Sequence, residues 1–151
     1  MIKSMLVSEW MSPAETVSPE TPFRRALARM QHKGIRSLVV VQEDRLVGII
    51  TMGDIRHAMP SDVVTRSIWD VNQTWDRVTV AHLMNHTVIT IEPHRDMIRA
   101  AGLMLDHGIS RLPVVSRQGK VLGVLTSYDI HRMLIAQRTL TDTAQEEAVA
   151  V

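Results

Sequence analysis

The sequence predicts an α+β fold in which one βαββα unit occurs twice and the two copies pack with pseudo-twofold symmetry. An internal repeat is the first ground for this. With a shift of 74 residues, Pro19 falls on Pro93, Ala26 on Ala100, Met30 on Met104, Gly34 on Gly108 and Leu38 on Leu112. One inserted residue moves the shift to 75, after which Gly48 meets Gly123, Thr51 meets Thr126 and Asp54 meets Asp129. The second ground is a helical stripe that ends at glycine and gives way to a β-branched run, present in both copies. The third is a polar turn between two apolar runs, which marks a hairpin in each copy.

Each element follows from local pattern. A short first strand is expected near Val17 and, in the second copy, near Ile89. Phe23, Ala26, Leu27 and Met30 have the spacing of one helix face, repeated by Met97, Ala100, Ala101 and Met104. Gly34 and Gly108 suit the left-handed position just past a helix end. Leu38 to Val41 and Leu112 to Val115 then read as buried strands. Gln42 to Arg45 and Ser116 to Lys120 turn the chain into Leu46 to Ile50 and Val121 to Leu125, and a second helix follows. A sheet of three strands with helices on one face leaves its other face bare, so the copies are expected to pack face to face around two related clefts.

The spans are 7–60 for the first repeat, 61–79 for an insert, 80–136 for the second repeat and 137–151 for a frayed tail without apolar periodicity. In the insert, Ile68, Trp69, Val71 and Trp75 are expected to be helix-borne packing anchors, and Val78 to Met84 echoes Val7 to Met11.

Composition narrows the functional classes. The 151 residues are 45% hydrophobic, enough for an ordinary core. Seventeen Lys and Arg against sixteen Asp and Glu give a net charge of +1, so no overall field favours nucleic acid or a membrane surface. Without cysteine there is no disulfide, zinc-thiolate site or thiol nucleophile. No secretory segment or run of about 18 apolar residues is present, and a cytoplasmic protein is expected.

Both copies carry Thr-x-x-Asp after the hairpin, as Thr51-Met52-Gly53-Asp54 and Thr126-Ser127-Tyr128-Asp129. One reading is a helix cap, with Thr accepting from the amide three residues on and Asp complementing the helix dipole. The other uses the same helix start to hold a phosphate, with hydroxyl and carboxylate binding phosphate and ribose hydroxyls. The two are compatible.

The full pattern, G-x-x-T-x-x-D-I after G-I-x-x-L-x-V-V and present twice, resembles the CBS domain family over about residues 7 to 135. That resemblance implies a regulatory module with no catalytic residues, binding AMP, ADP, ATP or a related adenosine compound in the clefts between repeats. It requires no cofactor and implies a homodimer signalling to an unknown protein target. By the same resemblance Thr51 and Thr126 approach phosphate or ribose, Asp54 and Asp129 the ribose hydroxyls, and Thr16, Val17, Val88 and Ile89 the base. Arg36 and Ser37, with Arg111, Leu112 and Pro113, line the same clefts. The copies differ here: GIRSLVVV places Arg36 one position earlier than GISRLPVV places Arg111, and on a strand that offset changes face. Only one arginine is therefore expected to face a phosphate, and the second copy follows the family pattern more closely. Both could instead be surface residues at a strand edge. The segment around the insert resembles acetoin-utilisation regulators of that family.

Other side chains have plainer readings. His82 and His86 have the spacing of helical metal ligands, but the β-branched run after His86 should leave the helix, so capping or solvated histidines are expected. Arg56, His57, His131 and Arg132 follow the motif on an exposed helix start, where a second phosphate contact is possible. No nucleophile sits beside a base at a distinctive spacing. Two rivals stand beside the sensor: a ligand-free dimerisation or interaction scaffold whose motifs are only caps, and a nucleotide hydrolase.

Overall fold

A computed structural model describes residues 4–58 and 77–149; the anchors expected at Ile68, Trp69, Val71 and Trp75 lie outside the described residues. The elements are α1 (Val7–Trp10), β1 (Thr16–Val17), α2 (Phe23–Lys33), β2 (Ser37–Gln42), β3 (Arg45–Thr51), α3 (Met52–Ala58), α4 (Val80–Leu83), α5 (Met97–His107), β4 (Arg111–Val115), β5 (Val121–Thr126) and α6 (Ser127–Val149).

The helical stripes face the cores as their spacing requires. In α2, Phe23, Ala26 and Met30 are buried, and in α5 Met97, Ala100 and Met104 are. Gly34 and Gly108 end these helices at φ 65° and 62°, in the left-handed region that a side chain disfavours. Asp96 caps α5 by accepting the Arg99 amide at 2.8 Å.

In the first copy β1, β2 and β3 form one sheet. Thr16 and Val17 pair in parallel with Val39 and Val40, and Ser37 pairs antiparallel with Thr51. Glu43 and Asp44 turn the hairpin with φ of 51° and 63°, the paired positive values of a tight hairpin turn. In the second copy β4 and β5 pair, but the first strand shrinks to a single parallel bridge between Ile91 and Val114. Proline explains the difference. Val39 donates its amide to the Glu15 carbonyl at 3.0 Å. Pro113 occupies the matching place and has no amide to give, so the carbonyl of Ile89 loses its ladder partner.

Two compact units result, and they do not follow the sequence spans of the repeats. One comprises Ala14–Val88 with Gly119–Val121, the other Met1–Pro13, Ile89–Gln118 and Leu122–Val151. The lead-in to each repeat is thus built into the unit of the other. Val7 and Trp10 join the core of Met97, Met104, Leu112 and Met133, while Val80 joins that of Phe23, Met30, Leu38 and Ile55. Ser12 exchanges backbone bonds with Val124 at 3.0 and 2.8 Å, as Asn85 does with Ile49 at 2.8 and 3.0 Å. These crossings need a missing side chain. A Cβ on Gly123 would stand 2.7 Å from the Ser12 carbonyl oxygen, and one on Gly48 would stand 2.8 Å from Met84 Sδ and 2.9 Å from the Asn85 carbonyl.

The tail expected to fray is instead helical, since α6 runs on to Val149. Thr139 and Thr143 donate their hydroxyls one turn back to the carbonyls of Ile135 and Thr139, and Arg138 lies 3.6 Å from Asp142. Residues 142–145 are exposed, so this stretch is held by local bonds and helix propensity, which an apolar-stripe criterion does not register.

Candidate ligand site

Hairpin pairing gathers the expected residues of each copy at one end of its sheet. In the first unit Ser37 lies opposite Thr51, the Met52 amide bonds the Arg36 carbonyl at 2.9 Å, and Thr16 pairs with Val39 two residues along the central strand. The second unit repeats the tie, with the Ser127 amide on the Ser110 carbonyl at 2.9 Å. Ile89, Arg111, Leu112, Pro113, Thr126 and Asp129 all belong to that unit, whereas Val88 groups with the first. Val17, Leu112 and Pro113 are buried, so these positions offer a ligand mainly their backbone.

Those matching backbone bonds make Arg36 the counterpart of Ser110, and Ser37 that of Arg111. Arg36 and Ser110 are exposed, Ser37 is buried and Arg111 half-buried. The one-residue offset therefore puts the two arginines in different surroundings.

The helix starts also differ. In the first unit Thr51 and Asp54 form a reciprocal box: the Asp54 amide donates to Thr51 Oγ1 at 3.0 Å, and the Thr51 amide to Asp54 Oδ2 at 2.8 Å. Asp54 is half-buried, and its Oδ1 has no partner among the described residues. In the second unit the Thr126 amide again donates to Asp129, at 2.9 Å, but the Thr126 hydroxyl points the other way and donates to the carboxylate at 3.1 Å. The expected acceptor role of Thr holds for Thr51 only. Arg132 then closes the second carboxylate, with Nη1 3.1 Å from Asp129 Oδ1 and its guanidinium carbon 5.6 Å from the Trp10 ring centroid. Asp129 is left only 4% exposed.

The edges of the first strands differ as well. Arg29 bonds both the Thr16 carbonyl, at 2.8 Å, and Glu15, at 3.0 Å, while Lys33 bonds Glu15 at 2.6 Å. Lys33, by hydrogen bond and charge, and then Arg29 hold the Glu15 carboxyl below its usual value. In the second copy Ile89, Leu103 and His107 stand in place of Glu15, Arg29 and Lys33, so that edge carries no charged staple.

Sequence reasoning missed this staple and the Arg132 closure. A signal for the closure existed in the three-residue spacing of Asp129 and Arg132, which shares one helix face. His82 is a capping residue as expected, its Nδ1 accepting the Thr79 amide at 3.0 Å, while His86 lies beyond α4. Among the described residues no cluster of three or more His, Asp or Glu could hold a metal, and no helix is long and apolar enough to cross a membrane.

Two such units, each with a Thr-x-x-Asp helix start tied to its sheet end, define a tandem module of the α+β class. The CBS domain family matches residues 7–61 and 80–136, and the chain belongs to it. A Methanopyrus kandleri protein, MK0525, is 34% identical over 133 residues, covering 87% of this chain and 62% of that protein. The inosine-5'-monophosphate dehydrogenase of Thermoplasma acidophilum is 30% identical over 76% of this chain, which spans only 20% of that enzyme. Among solved structures, the CBS domain pair of protein MJ0100, in complex with 5'-methylthioadenosine and S-adenosyl-L-methionine, is 28% identical with a TM-score of 0.70, over 87% of this chain and 96% of that one. CBSX2 in complex with AMP is 25% identical with a TM-score of 0.74, over 88% and 98%. The AcuB protein of Vibrio cholerae, provisionally assigned to acetoin utilization, is 20% identical with a TM-score of 0.75, over 93% and 98%; that likeness is one of fold.

Proposed function

We propose that this chain is a regulatory module that binds an adenosine-containing ligand, AMP, ADP, ATP or a related compound, and performs no chemistry on it. The observation that carries this is the second unit's sheet end. There the Ile89 carbonyl lacks a ladder partner beside Pro113, and the half-buried Arg111 has no partner among the described residues. An adenine amino group is a donor that suits such a carbonyl, a phosphate suits the guanidinium, and ribose hydroxyls suit Asp129 and Thr126. The complexes of the MJ0100 pair and of CBSX2 support the adenosine class. A homodimer in the cytoplasm, passing the change on binding to a protein target, completes this reading; light scattering of the purified chain tests the dimer.

Thermal unfolding with AMP, ADP, ATP, S-adenosylmethionine and NAD, each near millimolar, tests the ligand class. At a hundredfold excess over its dissociation constant a ligand adds about 2.7 kcal/mol of stability. A shift of several degrees with an adenosine compound is expected. No shift with any of them would favour the scaffold, a reading to which the capping bonds of both motifs already give some support.

A further inference from the structure

We infer that Arg132 makes the second site selective for adenosine ligands that carry a phosphate over uncharged nucleosides. This rests on the adenosine-ligand reading above and concerns a residue that reading does not use. Asp129 Oδ2 is held twice by Thr126, through its amide and its hydroxyl. The remaining oxygen, Oδ1, carries the Arg132 guanidinium at 3.1 Å. Of the carboxylate's roughly four acceptor positions these bonds leave one, on Oδ1, so a ribose diol, which brings a pair of hydroxyl donors, must displace Arg132 to place both on Asp129.

Competition leaves a cation in need of a new anion. The Asp129 side chain is 5% exposed and that of Arg132 48%, so the carboxylate stays in place and the arginine is the partner able to swing. A phosphate on the entering ligand restores a charge-assisted hydrogen bond to the displaced guanidinium, and an uncharged nucleoside does not. The Trp10 ring, within cation–π range of the same guanidinium, adds to the attraction that a nucleoside has to overcome without compensation.

Among its described residues the first unit lacks the device. His57 stands where the repeat puts Arg132, and Leu83 of the matching lead-in stands where Trp10 does. Arg56 leans on Met52, with Nη2 3.7 Å from Sδ, and Asp54 Oδ1 has no partner among the described residues. A diol would meet Asp54 there without displacing any side chain, so the first site has no comparable ground to prefer a phosphate.

Calorimetric titration of the full chain with AMP and with adenosine tests the assignment, using an Asp54→Ala background to isolate the second site. The expected AMP preference is about tenfold or more, the size of one charge-assisted contact. Arg132→Gln should lower AMP affinity and raise adenosine affinity, because the competitor is gone. Arg111→Gln should lower AMP affinity without that rise, and Arg132→Lys should keep part of the preference. Should Arg132→Gln fold poorly, the wild-type preference should still decline between 50 and 500 mM salt, ionic strengths chosen to span about 14 to 4 Å of screening length. Equal loss of both affinities in Arg132→Gln, or an unchanged ratio, would overturn this assignment alone. Absence of binding by either compound to wild type and variants would overturn the ligand reading and this assignment with it.

Discussion

Asp54 and Asp129 occupy the same place in two copies of one motif, yet their carboxylates live differently. Asp54 trades one bond each way with Thr51 and keeps an oxygen without a partner among the described residues; Asp129 takes two bonds from Thr126 and one from Arg132 and is buried. The strand edges are reversed in character. Beside Asp54 the edge is closed by the Val39 amide and the Glu15–Arg29–Lys33 staple, and beside Asp129 it is opened by Pro113. A repeat can thus keep its backbone while exchanging which of its polar groups are left available.

Removing the two carboxylates should give the largest contrast. Asp129→Ala removes a buried carboxylate and strips a half-buried amide, a hydroxyl and a guanidinium of their acceptor, and should cost about 2–3 kcal/mol. Asp54→Ala loses a half-buried capping partner, at about 1 kcal/mol. Thermal unfolding of both variants checks this, since each kcal/mol moves the midpoint of a chain this size by about 2–4 °C; equal shifts would break the comparison.

The lead-in crossings should come next. Gly123→Ala drives a methyl to 2.7 Å from a backbone oxygen, whereas the methyl in Gly48→Ala stands 2.9 Å from one, the Asn85 carbonyl, and 2.8 Å from the flexible Met84 sulfur. Overpacking of this kind costs about 1–3 kcal/mol, and Gly123→Ala should stand at the upper end in denaturant melts.

Pro113→Val tests the open edge. Giving the Ile89 carbonyl a donor should add about 0.5–1.5 kcal/mol of stability by hydrogen bonding and weaken the adenosine ligand. Stronger binding by this variant would contradict the role given to that carbonyl.

The smallest effect belongs to the surface staple. The Glu15 carboxyl is held below its usual value mainly by Lys33, so its contribution is present above the unfolded-state pKa and is lost as pH falls through the lower folded value. Glu15→Gln should slightly flatten the acid side of the stability profile, below about pH 4.5, and leave neutral pH nearly unchanged.

Much of this was legible in sequence because it depends on period and identity. The stripes of Met30 and Met104, the helix-ending Gly34 and Gly108, and the twin hairpins all follow from local rules. The exchange of lead-in segments was not, since Val7 and Val80 announce that they are buried but not against which repeat. Pro113 is plain in the sequence where the first copy has Val39, yet its effect, a carbonyl freed on the far side of a helix at Ile89, emerges only once the parallel pairing is known. The helix beyond residue 137 escaped for the opposite reason: the side chains described there are exposed, and its support is local.

We expect the Asp129 end of the second unit to bind an adenosine nucleotide. Isothermal titration of AMP into wild type, Asp129→Ala and Asp54→Ala, each first confirmed folded by its melting transition, tests it most directly. Saturable binding to wild type should persist in Asp54→Ala and be lost in Asp129→Ala. Binding that survives in Asp129→Ala and disappears in Asp54→Ala, or no binding to wild type at millimolar AMP, would contradict it.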